Sequence, residues 1–246
     1  MKIDILMLMT GNDIPAPEIG LTIHQPTIKE IGMIGEKDFI LGSQCLLISK
    51  KTLLAVDNNL EEALEQTNNI DIFLELINNK DVKEQRKQVE SVLLVLFPQC
   101  KKIFFTPRAI MLSHKDGDVI IDERNFEVFQ DYLRIILKLD AAGGDDFNPA
   151  NEEAARIAAK LKRGRERVAK QKEAQGGSGS IFSIYLSTLT IALHIPLDNL
   201  INLTIFQIND LVERYQLWLA SDIDTKVRLA GGKPDSQPEN WMKNIH

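Results

Sequence analysis

The residues that most often carry catalysis or hold metals are few in this 246-residue chain, and their spacing keeps them apart. His24, His114, His194 and His246 stand alone: none is followed by Cys, His or Glu at the spacing of a zinc-binding turn. Surface or hydrogen-bonded histidines are expected, and no metal. The GGSGS run ending at Ser180 resembles a nucleophile elbow only in letters. It lacks the preceding apolar strand and follows a charged stretch, so it reads as a flexible joint. GGKPDS, from Gly231, lacks the approach of a Walker loop, and its proline removes a backbone donor that a phosphate cradle needs. Cys45 and Cys100 lie in apolar surroundings, as small buried thiols of a reducing compartment do.

Paired carboxylates occur at Glu61/Glu62, Asp145/Asp146, Glu152/Glu153 and Asp222/Asp224. The first and third fit helix N-termini, where the helix dipole stabilises negative charge, and none has the supporting pattern of a glycosidase pair. No catalytic residue, cofactor or metal ligand is assigned, and the expectation is a protein that is not an enzyme. The strongest charged feature is basic: Arg156, Lys160, Lys162, Arg163, Arg165, Arg167, Lys170 and Lys172 give a local excess of +4 in a chain whose net charge is −6. The run contains no aromatic residue on which bases would stack, so a solvated helix or a contact with an acidic protein surface is favoured over nucleic acid. Lys162, Arg163, Arg165 and Arg167 are its candidate contact residues. Trp241 and Met242, in a polar, turn-rich tail, are candidate partner anchors, with an intramolecular plug as the competing reading.

The elements that must position these residues are mostly helical. At 44% apolar and 26% charged the composition is that of a folded globular protein, and no apolar run reaches the roughly 20 residues of a membrane span, so a soluble chain is expected. KIDILMLM and GLTIHQ read as short strands joined by a loop with Pro15 and Pro17. From Thr27 the apolar spacing becomes helical, with a break across Gly35 and Gly42. Asp57 reads as the cap of a short helix. IDIFLELI and VKEQRKQVESVLLVLF continue as helices up to Pro98. KKIFFT reads as a strand and IMLSHKDGDVIID as a hairpin turning at Lys115-Asp116-Gly117, and Asp122 reads as the cap of the helix ending near Leu139.

A charged, alanine-rich helix follows a Gly-rich linker. Two or three more helices are then expected, with Asp198 as a cap and a core of Ile184, Leu189, Leu193, Leu200, Leu203, Phe206, Leu211, Tyr215 and Trp218. The fold class is therefore α+β, predominantly α-helical. An N-terminal mixed domain with a few short strands and a β-hairpin occupies 1–140, a linker and charged helix 141–179, and a C-terminal helical module with an extended tail 180–246. No internal repeat is evident.

Two passages are more distinctive than composition: IGLTIHQPTIKEIGMIGEKDFILGSQCL, and INLTIFQINDLVERYQLWLASDIDTKVRLAGGKPDSQPENWMKNIH at the end. They resemble proteins of tailed bacteriophages, of the tail assembly chaperone type. The resemblance implies a protein without cofactor that binds the tape-measure or tail-tube protein in the host cytoplasm. A structural virion component of the tail, connector or baseplate is the alternative, and a nucleic-acid-binding factor using the basic helix 156–172 a third. Homo-oligomerisation is compatible with any of them.

Overall fold

The computed structural model describes residues 3–56, 64, 66–79, 83–115, 117–138, 180–232, 240–243 and 245. The Asp57 cap, Glu61/Glu62, the end of the first domain at Leu139 and the whole basic run, with Lys162, Arg163, Arg165 and Arg167, lie outside the described residues. The chain is α+β and mostly helical.

The first element is a helix, α1 (Ile5–Met9), where a strand was expected. Asp4 explains the difference: its carboxylate accepts from the amide of Leu6 at 2.9 Å and opens a helical turn. The five apolar residues that follow do not alternate, and only Leu8 is buried. The strands come one step later, as a hairpin of β1 (Ile14–Ala16) and β2 (Leu21–Ile23), with Ile14 paired to Ile23 and Pro15 turned outward. Gln25, fully buried, donates to the carbonyls of Met7 and Asn12 and so ties α1 to the residues after the hairpin.

Helix α2 (Ile28–Ile34) starts at a capping box, Thr27 with Glu30, and breaks at Gly35, whose φ of +99° favours glycine. α3 (Glu36–Leu46) then runs through Gly42 without interruption, so the second glycine of the expected break lies inside a helix. α4 (Lys50–Val56), α5 (Asn69–Asn78) and α6 (Lys83–Leu96) follow. An antiparallel sheet of β3 (Cys100–Phe105), β4 (Ile110–His114) and β5 (Gly117–Ile121) faces the core with Ile103, Ile110, Leu112 and Ile121. α7 (Phe126–Leu137) begins at Asn125 rather than Asp122, because Asp122 is spent on the preceding turn, accepting from the amide and guanidinium of Arg124. Phe73, Phe97, Phe126 and Phe129 join α5, α6 and α7 through ring pairs 5.4–6.3 Å apart. Each buried ring contributes about 1.5–3 kcal/mol.

Beyond the undescribed stretch come α8 (Ile181–Leu193), the single turn α9 (Leu197–Leu200) and the long α10 (Ile205–Leu229). Phe182, Leu189, Leu200, Ile205, Phe206 and Ile208 from these helices share one hydrophobic cluster with α2, α3, α6 and α7. The cap of α9 is Pro196, with Asp198 inside its first turn. Of the residues expected in a C-terminal core, Ile184, Leu193 and Trp218 are instead exposed.

The joint between the two stretches is a reciprocal one. Thr204 and Gln207 make a second capping box, and the two helix starts lie antiparallel, the amide of Ile28 donating to Leu203 and that of Ile205 to Pro26. Lys138, at the end of α7, adds an ion pair to Glu213 at 2.8 Å and lies over the Phe206 ring.

Candidate functional site

The two resemblance-bearing passages meet at the helix starts, and the surface beside that joint is an open apolar groove. One wall is α2, with Ile28, Ile31 and Gly32; the other is α8, with Phe182, Leu186 and Ile191; Leu197 and Ile201 close one end. Its volume is about 740 Å³, within the range of sites that bury a ligand or a few turns' worth of side chains. Gly32 contributes by absence: a Cβ placed there would meet nothing within 4 Å.

Glu36 sets the spacing of the walls. Its carboxylate accepts from the amides of Ile181 at 2.6 Å and Phe182 at 3.3 Å, satisfying orphan donors at the start of α8 and placing negative charge at the positive end of its dipole. Ser180, the last residue of GGSGS, accepts from the amide of Ser183 at 2.9 Å, so its hydroxyl serves as a helix cap. The groove's polar groups are Lys29, Glu36 and the hydroxyls of Ser180, Ser183, Ser187 and Thr190; the Thr190 hydroxyl is buried, with no hydrogen-bond partner among the described residues. The site is thus built to take apolar side chains rather than a charged small molecule. Ile191, 76% exposed, and Leu197, half exposed, extend the apolar surface beyond the groove.

Among the described residues, those singled out for chemistry do not converge. Burial pushes the thiols of both Cys45 and Cys100 up from the ordinary cysteine value, which disfavours the thiolate form a nucleophile needs. Among the described residues no His, Cys, Asp and Glu group is arranged to hold a metal, and no helix is long and apolar enough to cross a membrane.

His24 sits between two carboxylates, with Nδ1 2.7 Å from Asp13 and Nε2 3.1 Å from Glu30, which also closes the α2 capping box. Burial pulls the imidazole's pKa down, but the hydrogen bonds and charges of Asp13 and Glu30 outweigh it and hold His24 above its ordinary value. A group raised in the folded state stabilises fully below its unfolded pKa and loses that contribution as pH rises through the folded one. Replacing His24 by Gln is therefore expected to lower stability more at pH 6 than at pH 8.5, read by urea unfolding at both. An equal loss at the two pH values would remove the charged imidazole from the account.

Trp241 and Met242 are 38% and 68% exposed, so these two side chains do not plug the interior. It is fixed through its backbone instead: Arg214 on α10 donates to the carbonyls of Trp241 and Lys243, both at 2.8 Å. Neither residue lines the groove. The groove residues were not singled out in the sequence. The available signal was α8 itself, IFSIYLSTLTIAL, whose apolar residues are spread around the helix rather than confined to one face.

Residues 178–246, a stretch beginning just ahead of α8 and including α9, α10 and the tail, match the family model of the YomV second domain. YomV is a phage-derived protein, and the likeness to it covers this C-terminal stretch alone. No curated protein and no solved structure matches the chain.

Proposed function

We propose that the chain is a non-enzymatic phage tail assembly protein, chaperone-like, that holds an apolar segment of a tape-measure or tail-tube protein. The observation that carries this reading is the open apolar groove between α2 and α8, formed jointly by the N-terminal part and the phage-related C-terminal stretch. An amphipathic helix is the natural occupant: its apolar positions would fill the space beside Gly32 and pack on Ile191 and Leu197, as helix-in-groove recognition does.

The test is co-expression of the intact chain with the tape-measure and tube proteins of its phage, followed by co-purification and titration. Ile191→Glu and Leu197→Glu change exposed positions and should leave the fold intact. Each is expected to weaken the complex about tenfold or more, the size typical of a central apolar anchor. Undiminished binding by both variants would dissociate the groove from the function.

A second reading, a structural component of the tail, connector or baseplate, is favoured by the anchored tail. Arg214 presents Trp241 and Met242 in a fixed place, as a permanent interface would use them. Mass spectrometry of purified particles separates the two: a chaperone is absent from the finished virion, whereas a structural component is present in symmetric copies.

A further inference from the structure

A second surface, remote in sequence from the groove's walls, lies along α10. Ile208, Val212, Tyr215, Leu219 and Ile223 recur at spacings of four and three, which keeps them on one side of a straight helix. The first part of this stripe belongs to the body: Ile208 is fully buried, and Leu211 and Val212 still pack on the core. Beyond them, among the described residues, the same side lacks such cover: Leu219 and Ile223 are 37% and 53% exposed, and Leu229 on its margin 83%. Arg214, which holds Trp241 and Lys243, lies on a different side of the helix from Leu219 and Ile223.

Charge identifies what fits there. Within the exposed stripe the charged residues are Asp222 and Lys226, one turn apart and paired at 2.6 Å. Asp224 and Arg228 form their own pair on the opposite side. A second α10 laid antiparallel, with the twofold axis at Asp224, sets Asp222 of each chain opposite Lys226 of the other and Leu219 opposite Leu229. A parallel pair would instead set Asp222 against Asp222 and Lys226 against Lys226. The acid-before-base order of the stripe is thus self-complementary in one orientation only. That orientation also places the two bodies at opposite ends of the paired helices.

We propose that the C-terminal half of α10 is a homodimerisation surface, pairing antiparallel with a second copy of this chain through Leu219, Ile223 and Leu229 around an alternating Asp222/Lys226 cluster. The inference does not depend on the groove or on its occupant.

Sedimentation of the full chain over a concentration series tests it. The mass is expected to rise from 27.8 kDa towards twice that value. Leu219→Glu with Ile223→Glu should give a single-chain mass while circular dichroism and thermal unfolding show an intact body. Asp222→Lys alone and Lys226→Asp alone should each weaken the dimer about tenfold, since symmetry repeats every like-charge contact. Mixing the two single variants should restore it as a heterodimer, an outcome that local helix stability cannot produce, because mixing leaves the like-charge pair within each helix unchanged. A single-chain mass up to about 1 mM, where even a millimolar Kd would show, overturns the proposal. So does a dimer that ignores these substitutions.

Discussion

Replacing Gln130 by Met is expected to destabilise the protein by about 3–5 kcal/mol, although the new side chain has a similar volume and belongs in a core. Gln130 is fully buried on the core side of α7. Its amide donates to the carbonyl of Leu46 at 2.9 Å and to that of Ile48 at 2.7 Å, and its oxygen accepts from Asn69 at 3.3 Å. Leu46 is the last residue of α3, where carbonyls have no partner inside the helix. One side chain therefore satisfies the end of α3, holds the turn into α4 and contacts the start of α5. Methionine would bury two carbonyls without donors, each costing about 1–3 kcal/mol. For a protein of this size that corresponds to a fall in melting temperature of roughly 6–20 °C. Differential scanning calorimetry of Gln130→Met measures it, and a change under about 2 °C would show that water replaces the amide at little cost.

Gln130 also marks where the sequence stops being informative. In FEVFQDYLRIIL the apolar residues outline the buried side of α7 correctly, and the polar glutamine gives no sign that it belongs there. The need it meets arises from a carbonyl 84 residues away in sequence. The same limit explains the first element. KIDILMLM satisfies a loose strand pattern, and only the Asp4 cap decides for a helix. Where one periodic face meets one core, as in α6 with Val89, Val92, Leu93 and Leu96, the pattern and the structure coincide, and Pro98 stops the helix as expected.

The candidate groove was less legible than the fold. A groove is made by two faces that fail to close, and each face alone looks like ordinary core. Ile28 and Ile31 on α2 carry a clear helical spacing, and Phe182 and Leu189 on α8 are buried as a core would require. What leaves space between the walls is Gly32 on one and the uneven seating of α8 on the other. The joint beside it was visible as words but not as geometry. PTIKE and LTIFQ each fit a capping box, yet that they lie antiparallel and exchange backbone hydrogen bonds follows only from the folded chain.

Two glycines inside helices should respond to alanine with opposite signs, and the pair separates propensity from packing. In a helix interior, alanine is favoured over glycine by about 1 kcal/mol because less backbone freedom is lost. At Gly32 a Cβ meets nothing, so Gly32→Ala should stabilise by roughly that amount. At Gly42 it would lie 2.7 Å from the carbonyl oxygen of Gln88, 2.8 Å from its carbon and 2.9 Å from Val92 Cγ2. Two of these three atoms are backbone of α6, which cannot rotate aside as a side-chain tip can. Relief requires α3 and α6 to separate, which would disturb Phe39 and Leu46 on one helix and Val89 and Leu93 on the other, all fully buried. Overpacking of that kind costs about 1–3 kcal/mol, and here it acts on backbone, at the upper end of the range. Gly42→Ala is therefore expected to lose about 2 kcal/mol net, and Gly42→Val more, by urea unfolding with Gly32→Ala as the reference. If both alanines stabilised, the close approach of α3 and α6 would have to be looser than these distances make it.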